Sequence, residues 1–167
     1  AAFVVSRDRT GDIGVRVLGC AQAHTHQHVT AAPALSKLGA EIAVARAKAA
    51  SGVAISDVRY AAVYDSFTIT LAMLLEDLGL AGRGEAASLA RGGHFGRDGA
   101  MPLNTHGGLL SYGHCGVGGA MAHLVETHLQ MTGRAGDRQV RDASIALLHG
   151  DGGVLSSHVS MFLERVR

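Results

Sequence analysis

The sequence predicts an α/β fold, and three observations carry that expectation. Short apolar runs alternate with stretches whose apolar residues recur at helical spacing, in the order β-β-α-β-α-α-α-β-β. Apolar residues make up 47 % of the chain but aromatic ones only 4 %, with 23 glycines and no tryptophan. The core must therefore be built from Ala, Val, Leu and Ile at close backbone spacing. Finally, 167 residues suffice for one domain with a sizeable core, and no internal repeat or linker interrupts them.

The elements follow in order. Residues 2–6, AFVVS, read as a short buried strand, and 14–20, GVRVLGC, as a second. AQAHTHQHVTAAP is polar and irregular. From Ala34 to Ala50 the positions Leu35, Leu38, Ile42, Ala45 and Ala49 mark one helix face, which Gly52 ends. AAVYD, 61–65, is a buried strand. Phe67, Leu71, Leu74, Leu75 and Leu78 mark the next helix, stopped by Gly79. Glu85 to Arg91 is a short helix, and 92–113 is a glycine-rich loop. Val117, Met121, Leu124, Val125, His128 and Met131 mark a longer helix ending near Gly133. DASIALLHG and LSSHVSMFLE close the chain as two strands around a Gly-rich turn.

A net charge of +1 gives no electrostatic case for nucleic acid or an anionic membrane. No apolar run reaches the roughly 18 residues of a membrane span. AAFVVSRDRTGD has neither a basic n-region nor a long apolar h-region, so no signal peptide is read there. Cys20 and Cys115 do not make a disulfide framework, and reduced thiols in a cytoplasmic protein are expected.

The residues able to carry chemistry cluster late in the chain. In NTHGGLLSYGHCGVGG, His114 stands at or just before a helix start, where unpaired N–H groups and the helix dipole favour a neutral imidazole. Such a ring can accept a proton or donate to an oxyanion. The same field would stabilise a Cys115 thiolate, although adjacent side chains point different ways. A structural histidine in a glycine-rich turn fits equally. His24, His26 and His28 alternate and would share a face on an extended segment, but no carboxylate or cysteine nearby completes a metal set, and a solvated loop is expected. YDSF, 64–67, leaves a strand for a helix, with Ser66 as a possible N-cap and Asp65 as a first-turn anion. LLHGDGGV places His149 and Asp151 at a strand end before a tight turn. GVGG does not fit a dinucleotide fingerprint.

YDSF, PLNTHGG, GHCGVGG and LLHGDGG occur in the order and spacing of the C-terminal half of thiolases, and the sequence resembles the sterol-carrier-protein-x type and its bacterial acyl-CoA relatives. The resemblance implies a layered α-β-α half with a mixed sheet. It implies that His114 activates a nucleophilic cysteine and helps form an oxyanion hole, with Cys115 where proline is usual. Tyr64 replaces the residue that orients an oxyanion-hole water. Ser66 and His149 stand where the two branches of the family place an acid/base cysteine, so the proton shuttle falls to Tyr64, His149 or Cys115. A CoA thioester, as substrate rather than cofactor, would lie against Ser66 and Phe67 of the first motif and Asn104, Gly107 and Gly108 of the second. Gly113 and Gly153 of the last two would complete that surface. No metal is implied.

The nucleophilic cysteine of a thiolase belongs to an N-terminal half. On the resemblance, residues 1–13 are the last strand and linker of that half, and 14–167 are the C-terminal domain. Expected partners are the N-terminal half, further copies in a homo- or hetero-oligomer, and a small zinc-ribbon/OB-fold subunit. The expected activity is Claisen condensation or thiolytic cleavage of 3-oxoacyl-CoA, with the chain inactive alone. Two alternatives stand beside it: a thiolase-like retro-aldolase using Tyr64 and Tyr112, and a non-catalytic scaffold.

Overall fold

The computed structural model describes residues 1–7, 14–36 and 38–166. Among these residues four strands and five α-helices follow in order: β1 (Gly14–His24), α1 (Ala40–Ser51), β2 (Tyr60–Val63), α2 (Thr68–Asp77), α3 (Ala86–Arg91), α4 (Gly108–Tyr112), α5 (Gly119–Met131), β3 (Ile145–Gly152) and β4 (Ser157–Val166). The strands form one mixed sheet in the order β1-β4-β3-β2. β4 runs antiparallel to both its neighbours, whereas β2 and β3 are parallel, with Tyr60 opposite Ala146 and Val63 opposite His149.

Alternation along the strands divides the core in two. On one face Ala61, Val63, Leu147 and Phe162 pack against Ala40, Val44 and Ala47 of α1 and Leu74 and Leu75 of α2. On the other, Tyr60, Ala62, Ala146, Leu148 and Leu163 meet Met131 of α5. The result is the expected α-β-α layering. No helix is long and apolar enough to cross a membrane among the described residues.

Three elements depart from the sequence reading. Helix α1 begins at Ala40, not Ala34, and buries Ala40, Ala43, Val44 and Ala47 while Ile42 stays exposed. The reason is Gly19 of β1, where a Cβ would lie 2.8 Å from the Ala47 carbonyl oxygen and 2.7 Å from the Ser51 nitrogen. Strand and helix backbones approach so closely that only alanine-sized side chains fit between them. Helix α5 buries His123, Glu126, Thr127 and Gln130 together with Met131, so its inward stripe is largely polar. Helix α4 lies inside the stretch read as loop.

Residues 2–6, read as a buried strand, form no strand: Val4 and Val5 are 99 % and 86 % exposed, and Phe3 rests edge-on against the His128 ring of α5. Among the described residues no strand pairs with Phe3, Val4 and Val5, so no ladder forms there. Residues 8–13, the expected linker, lie outside the described residues.

Candidate functional site

Strand β2 delivers the first residues of the site. The Tyr64 N–H donates to the His149 carbonyl at 3.0 Å, extending the β2–β3 ladder by one step before the chain turns toward α2. The Tyr64 side chain points to the α5 side of the sheet. There its hydroxyl lies 2.6 Å from His114 Nε2, with the two rings edge-on at 5.9 Å. The Gly116 N–H donates to His114 Nδ1 at 3.2 Å. Nδ1 is therefore the acceptor, and a neutral ring carries its hydrogen on Nε2, facing the Tyr64 oxygen. Tyr64 accepts from His114 and keeps its own O–H free to donate elsewhere. Burial raises the Tyr64 phenol above its ordinary value, and Asp151, Cys115 and Asp65 add to that.

His114 and Cys115 are exposed, and a 3-10 turn, Gly116–Gly118, separates them from the start of α5. Gly113, with φ of 106°, leads into them. The wall opposite is set by Asp65 and Asn104. Asp65 does not serve α2, whose N-cap position, Phe67, makes no side-chain cap bond, nor does Ser66 cap that helix. Asp65 Oδ1 instead accepts the Leu109 N–H at 2.7 Å and so caps α4 from 44 residues away. Gly108, at φ of 66°, has no room for a Cβ, which would overlap the Asp65 carboxylate. Asn104 accepts the Val63 N–H at 2.9 Å and donates to the Val63 carbonyl at 2.7 Å, which ties the loop to β2. Phe67, Gly107 and Gly153 are exposed, and Ser66 is half-buried.

The structure brings Tyr64 and His114 together and sends His149 elsewhere. The His149 ring, 1 % exposed, lies on the α1 side of the sheet, with Nδ1 2.8 Å from Ser160 Oγ and Nε2 3.2 Å from His158 Nδ1. His158 Nε2 lies 3.1 Å from the Leu155 carbonyl, which accepts only a hydrogen. That fixes the chain of donors: Ser160 donates to His149, His149 to His158, and His158 to Leu155. Burial and His158 push His149 down to about 3, so it is neutral throughout the physiological range.

Among the other histidines, His26 is turned inward and bonded through Nδ1 to Thr25 Oγ1 at 2.8 Å. His28 caps a 3-10 turn by accepting the Thr30 N–H. His24 and His28 are exposed, as a solvated loop would have them, whereas His26 is buried, so the three do not share a face. Among the described residues no group of three His, Cys, Asp or Glu is placed to hold a metal ion.

Asp151 is the titratable group that the hairpin reading passed over. Burial lifts its carboxyl to about 6, against two backbone N–H bonds, from Leu155 and Gly152, that pull it down. Its Oδ1 is buried and unpartnered. The turn beyond it holds three successive residues at positive φ, Gly153, Val154 and Leu155, an unfavourable conformation for a β-branched valine.

A family model for proteins described as "Thiolase C-terminal domain-like" matches residues 21–165. The chain belongs to that family. Its curated relatives include an acetyl-CoA acetyltransferase of Methanothermobacter thermautotrophicus, 35 % identical over 106 residues, covering 62 % of this chain and 28 % of the relative. A steroid side-chain-cleaving aldolase of Thermomonospora curvata is 33 % identical over 123 residues, covering 66 % of this chain and 30 % of the relative. This thiolase C-terminal domain thus spans about a third or less of the relatives it matches. Among solved structures, the Ltp2-ChsH2(DUF35) aldolase superposes with a TM-score of 0.76 at 27 % identity, over 90 % of this chain and 39 % of that one. A monomeric SCP2-thiolase-like protein of Mycobacterium smegmatis, with TM-score 0.60 at 21 % identity over 90 % of this chain and 29 % of that one, shares the fold.

Reading the sequence for chemistry missed Asp65 as a link to α4, and missed His106 and His123 altogether. The signal for Asp65 was visible: a carboxylate after a strand, with a Gly-Gly pair downstream that could admit it. Nothing local marks His123, which sits mid-helix among residues that look like a solvated face.

Proposed function

We propose that this domain forms the C-terminal part of a thiolase-like enzyme that cleaves a carbon–carbon bond of a 3-hydroxyacyl-CoA by retro-aldol chemistry. The observation that carries this reading is the Tyr64 hydroxyl against His114 Nε2 at 2.6 Å, while Ser66 and His149 stand where the resemblance would place an acid/base thiol. Asp151, with its carboxyl near 6, is the base: it removes the proton from the 3-hydroxyl group. The hydroxyl-bearing carbon becomes a carbonyl, the bond to the α-carbon breaks, and its electron pair passes to the thioester as an enolate. The α-carbon then takes the proton of the Tyr64 hydroxyl. The hydrogen on His114 Nε2 already faces the Tyr64 oxygen, so the phenolate left behind is stabilised without rearrangement. No electrons are gained or lost overall, and the products are a ketone or aldehyde and a shortened acyl-CoA. The aldolases among the relatives and solved structures support this reading.

A second reading is acyl transfer through an acyl-cysteine supplied by an N-terminal half, with His114 as its activator. The acetyl-CoA acetyltransferase relative favours it. In either case the partner is the N-terminal thiolase half, and the exposed Phe3, Val4 and Val5 are the segment that its sheet would take up. A zinc-ribbon/OB-fold subunit is a further partner, and higher oligomers are expected. The chain co-expressed with its N-terminal half should release a ketone and acyl-CoA from a 3-hydroxyacyl-CoA, as read by mass spectrometry. Tyr64→Phe should lower that rate by about 10² or more. Thiolysis of 3-oxoacyl-CoA with a trapped acyl-cysteine would establish the second reading instead, and neither reaction would leave a scaffold.

A further inference from the structure

Behind Tyr64 lies a layer of buried polar groups that the chemistry above does not use. Asp65 is 2 % exposed and accepts the Leu109 N–H at 2.7 Å and the Leu110 N–H at 3.4 Å. His123, 1 % exposed, reaches from the first half of α5 and places Nε2 3.3 Å from Asp65 Oδ1, at ion-pair distance though not aligned as a hydrogen bond. Its ring centroid is 6.3 Å from that of Tyr64. His106 stands edge-on to His123 at 5.0 Å and lies 5.7 Å from the Tyr112 ring. Neither ring nitrogen of His106 nor of His123 makes a hydrogen bond. A phenylalanine or leucine would fill the same space without leaving buried ring nitrogens short of hydrogen bonds.

Taking Tyr64 as the proton donor described above, we propose that Asp65 and His123 act together as a positioning device, fixing Tyr64 against α4 and α5. Three elements meet at the Asp65 carboxylate. Tyr64 precedes it in the chain, the start of α4 donates two N–H groups to it, and α5 supplies His123. Helix α4 carries Tyr112 at its far end, and α5 follows directly from the loop that holds His114. A shift of either helix would therefore reach Tyr64 through one carboxylate. Burial alone would raise the Asp65 carboxyl, but His123 and the α4 amides outweigh it and hold it below the usual carboxylate range. It stands as a fixed negative charge beside Tyr64. The other groups facing Tyr64 are His114 and Cys115 from the loop before α5, His123 from α5, and Asp151 from β3.

The test uses Asp65→Asn and His123→Gln in the chain paired with its N-terminal half, with two readouts. The first is kcat against KM on the 3-hydroxyacyl-CoA. A misplaced proton donor should lower kcat by about 10²-fold and leave KM nearly unchanged. The second needs no turnover. With tyrosines labelled at the ring carbon bearing oxygen, the Tyr64 signal, assigned by its loss in Tyr64→Phe, is titrated by NMR. Asp65→Asn should shift the Tyr64 ionisation downward, and His123→Gln should alter its shift and line width. A Tyr64 signal that moves in an enzyme with no aldolase activity would support the positioning device while refuting the retro-aldol reading. Variants that melt like the wild type and change neither kcat nor the Tyr64 titration would overturn it. Should Asp65→Asn fail to fold, the wild-type Tyr64 signal must still respond to acid protonation of Asp65, and a flat response would refute it as well.

Discussion

Tyr64 and His149 share a hydrogen bond through their backbones and face opposite sides of one sheet. The Tyr64 N–H donates to the His149 carbonyl. The Tyr64 ring meets His114 on the α5 side, while the His149 ring is sealed on the α1 side among Ser160 and His158. The period of two along β3 is the cause, since Leu148 and His149 must point apart.

His149 is therefore expected to act on stability. His149→Ala strips Ser160 and His158 of a buried partner and opens a cavity, and should cost on the order of 2–4 kcal/mol in a urea melt. The wild type should also lose stability in acid. The folded ring titrates near 3 against an ordinary 6.5, so the unfolded chain binds the extra proton between those values. Stability is complete above about 6.5 and is lost as pH falls toward 3. Asp151, raised from 3.8 to about 6, works in the opposite direction over its own interval. Urea midpoints compared across pH between Asp151→Asn and the same variant carrying His149→Gln isolate the histidine, and identical pH profiles would contradict its neutral burial.

The pH–rate profile should show an acid limb governed by Asp151. With its carboxyl near 6, kcat/KM should fall about tenfold per pH unit below that value. Asp151→Asn should remove the limb and lower the plateau by about 10²–10⁴-fold. Retention of the limb in that variant would assign the base elsewhere.

Gly19→Ala tests the approach of β1 to α1. The added methyl would lie within 2.8 Å of the Ala47 carbonyl oxygen and 2.7 Å of the Ser51 nitrogen, and backbone does not yield cheaply. A loss of about 1–3 kcal/mol is expected. Thermal melts of this variant beside Gly52→Ala, where a Cβ meets nothing but φ is 72°, separate crowding from backbone strain.

Arg138→Ala leaves Glu126, 2 % exposed in its side chain, with hydrogen bonds from Thr105 and Gln130 but no cation paired with it among the described residues. Removing one partner of a fully buried pair costs about 3–5 kcal/mol. Arg138 is 45 % exposed, so water screens the pair and a smaller loss, on the order of 2 kcal/mol, is expected. Glu126→Gln with Arg138→Ala should recover part of it in a double-mutant cycle.

The sequence revealed β2 and β3 because YAAV and IALL are continuous apolar runs, β4 through the shorter run Met161–Leu163, and α2 because Leu74, Leu75 and Leu78 repeat on one face. It misplaced the inward face of α5, since hydrophobic periodicity cannot find a stripe made of His123, Glu126, Thr127 and Gln130. It hid α4 because five residues beside paired glycines carry no periodic signal, and the cap of that helix comes from Asp65, far off in the chain. At the site, the motif positions of Tyr64 and His114 were legible. The separation of His149 from them followed only from register, which pairs it with Val63.

Asn104 gives the sheet a direction of growth. Its side-chain amide mimics a peptide unit, bonding both backbone groups of Val63, while Pro102 and Asn104 bond Ala61 through their own backbones. Leu103 bridges Ala61 in parallel between them. The outer rim of β2 is thereby filled by the chain's own loop and offers a neighbour nothing to zip onto. Strand β1 ends the sheet on the other side with β4 as its one ladder partner among the described residues. Among the described residues no strand flanks β1 on its outer side, so the domain behaves as a tile with one blank margin and one adhesive margin.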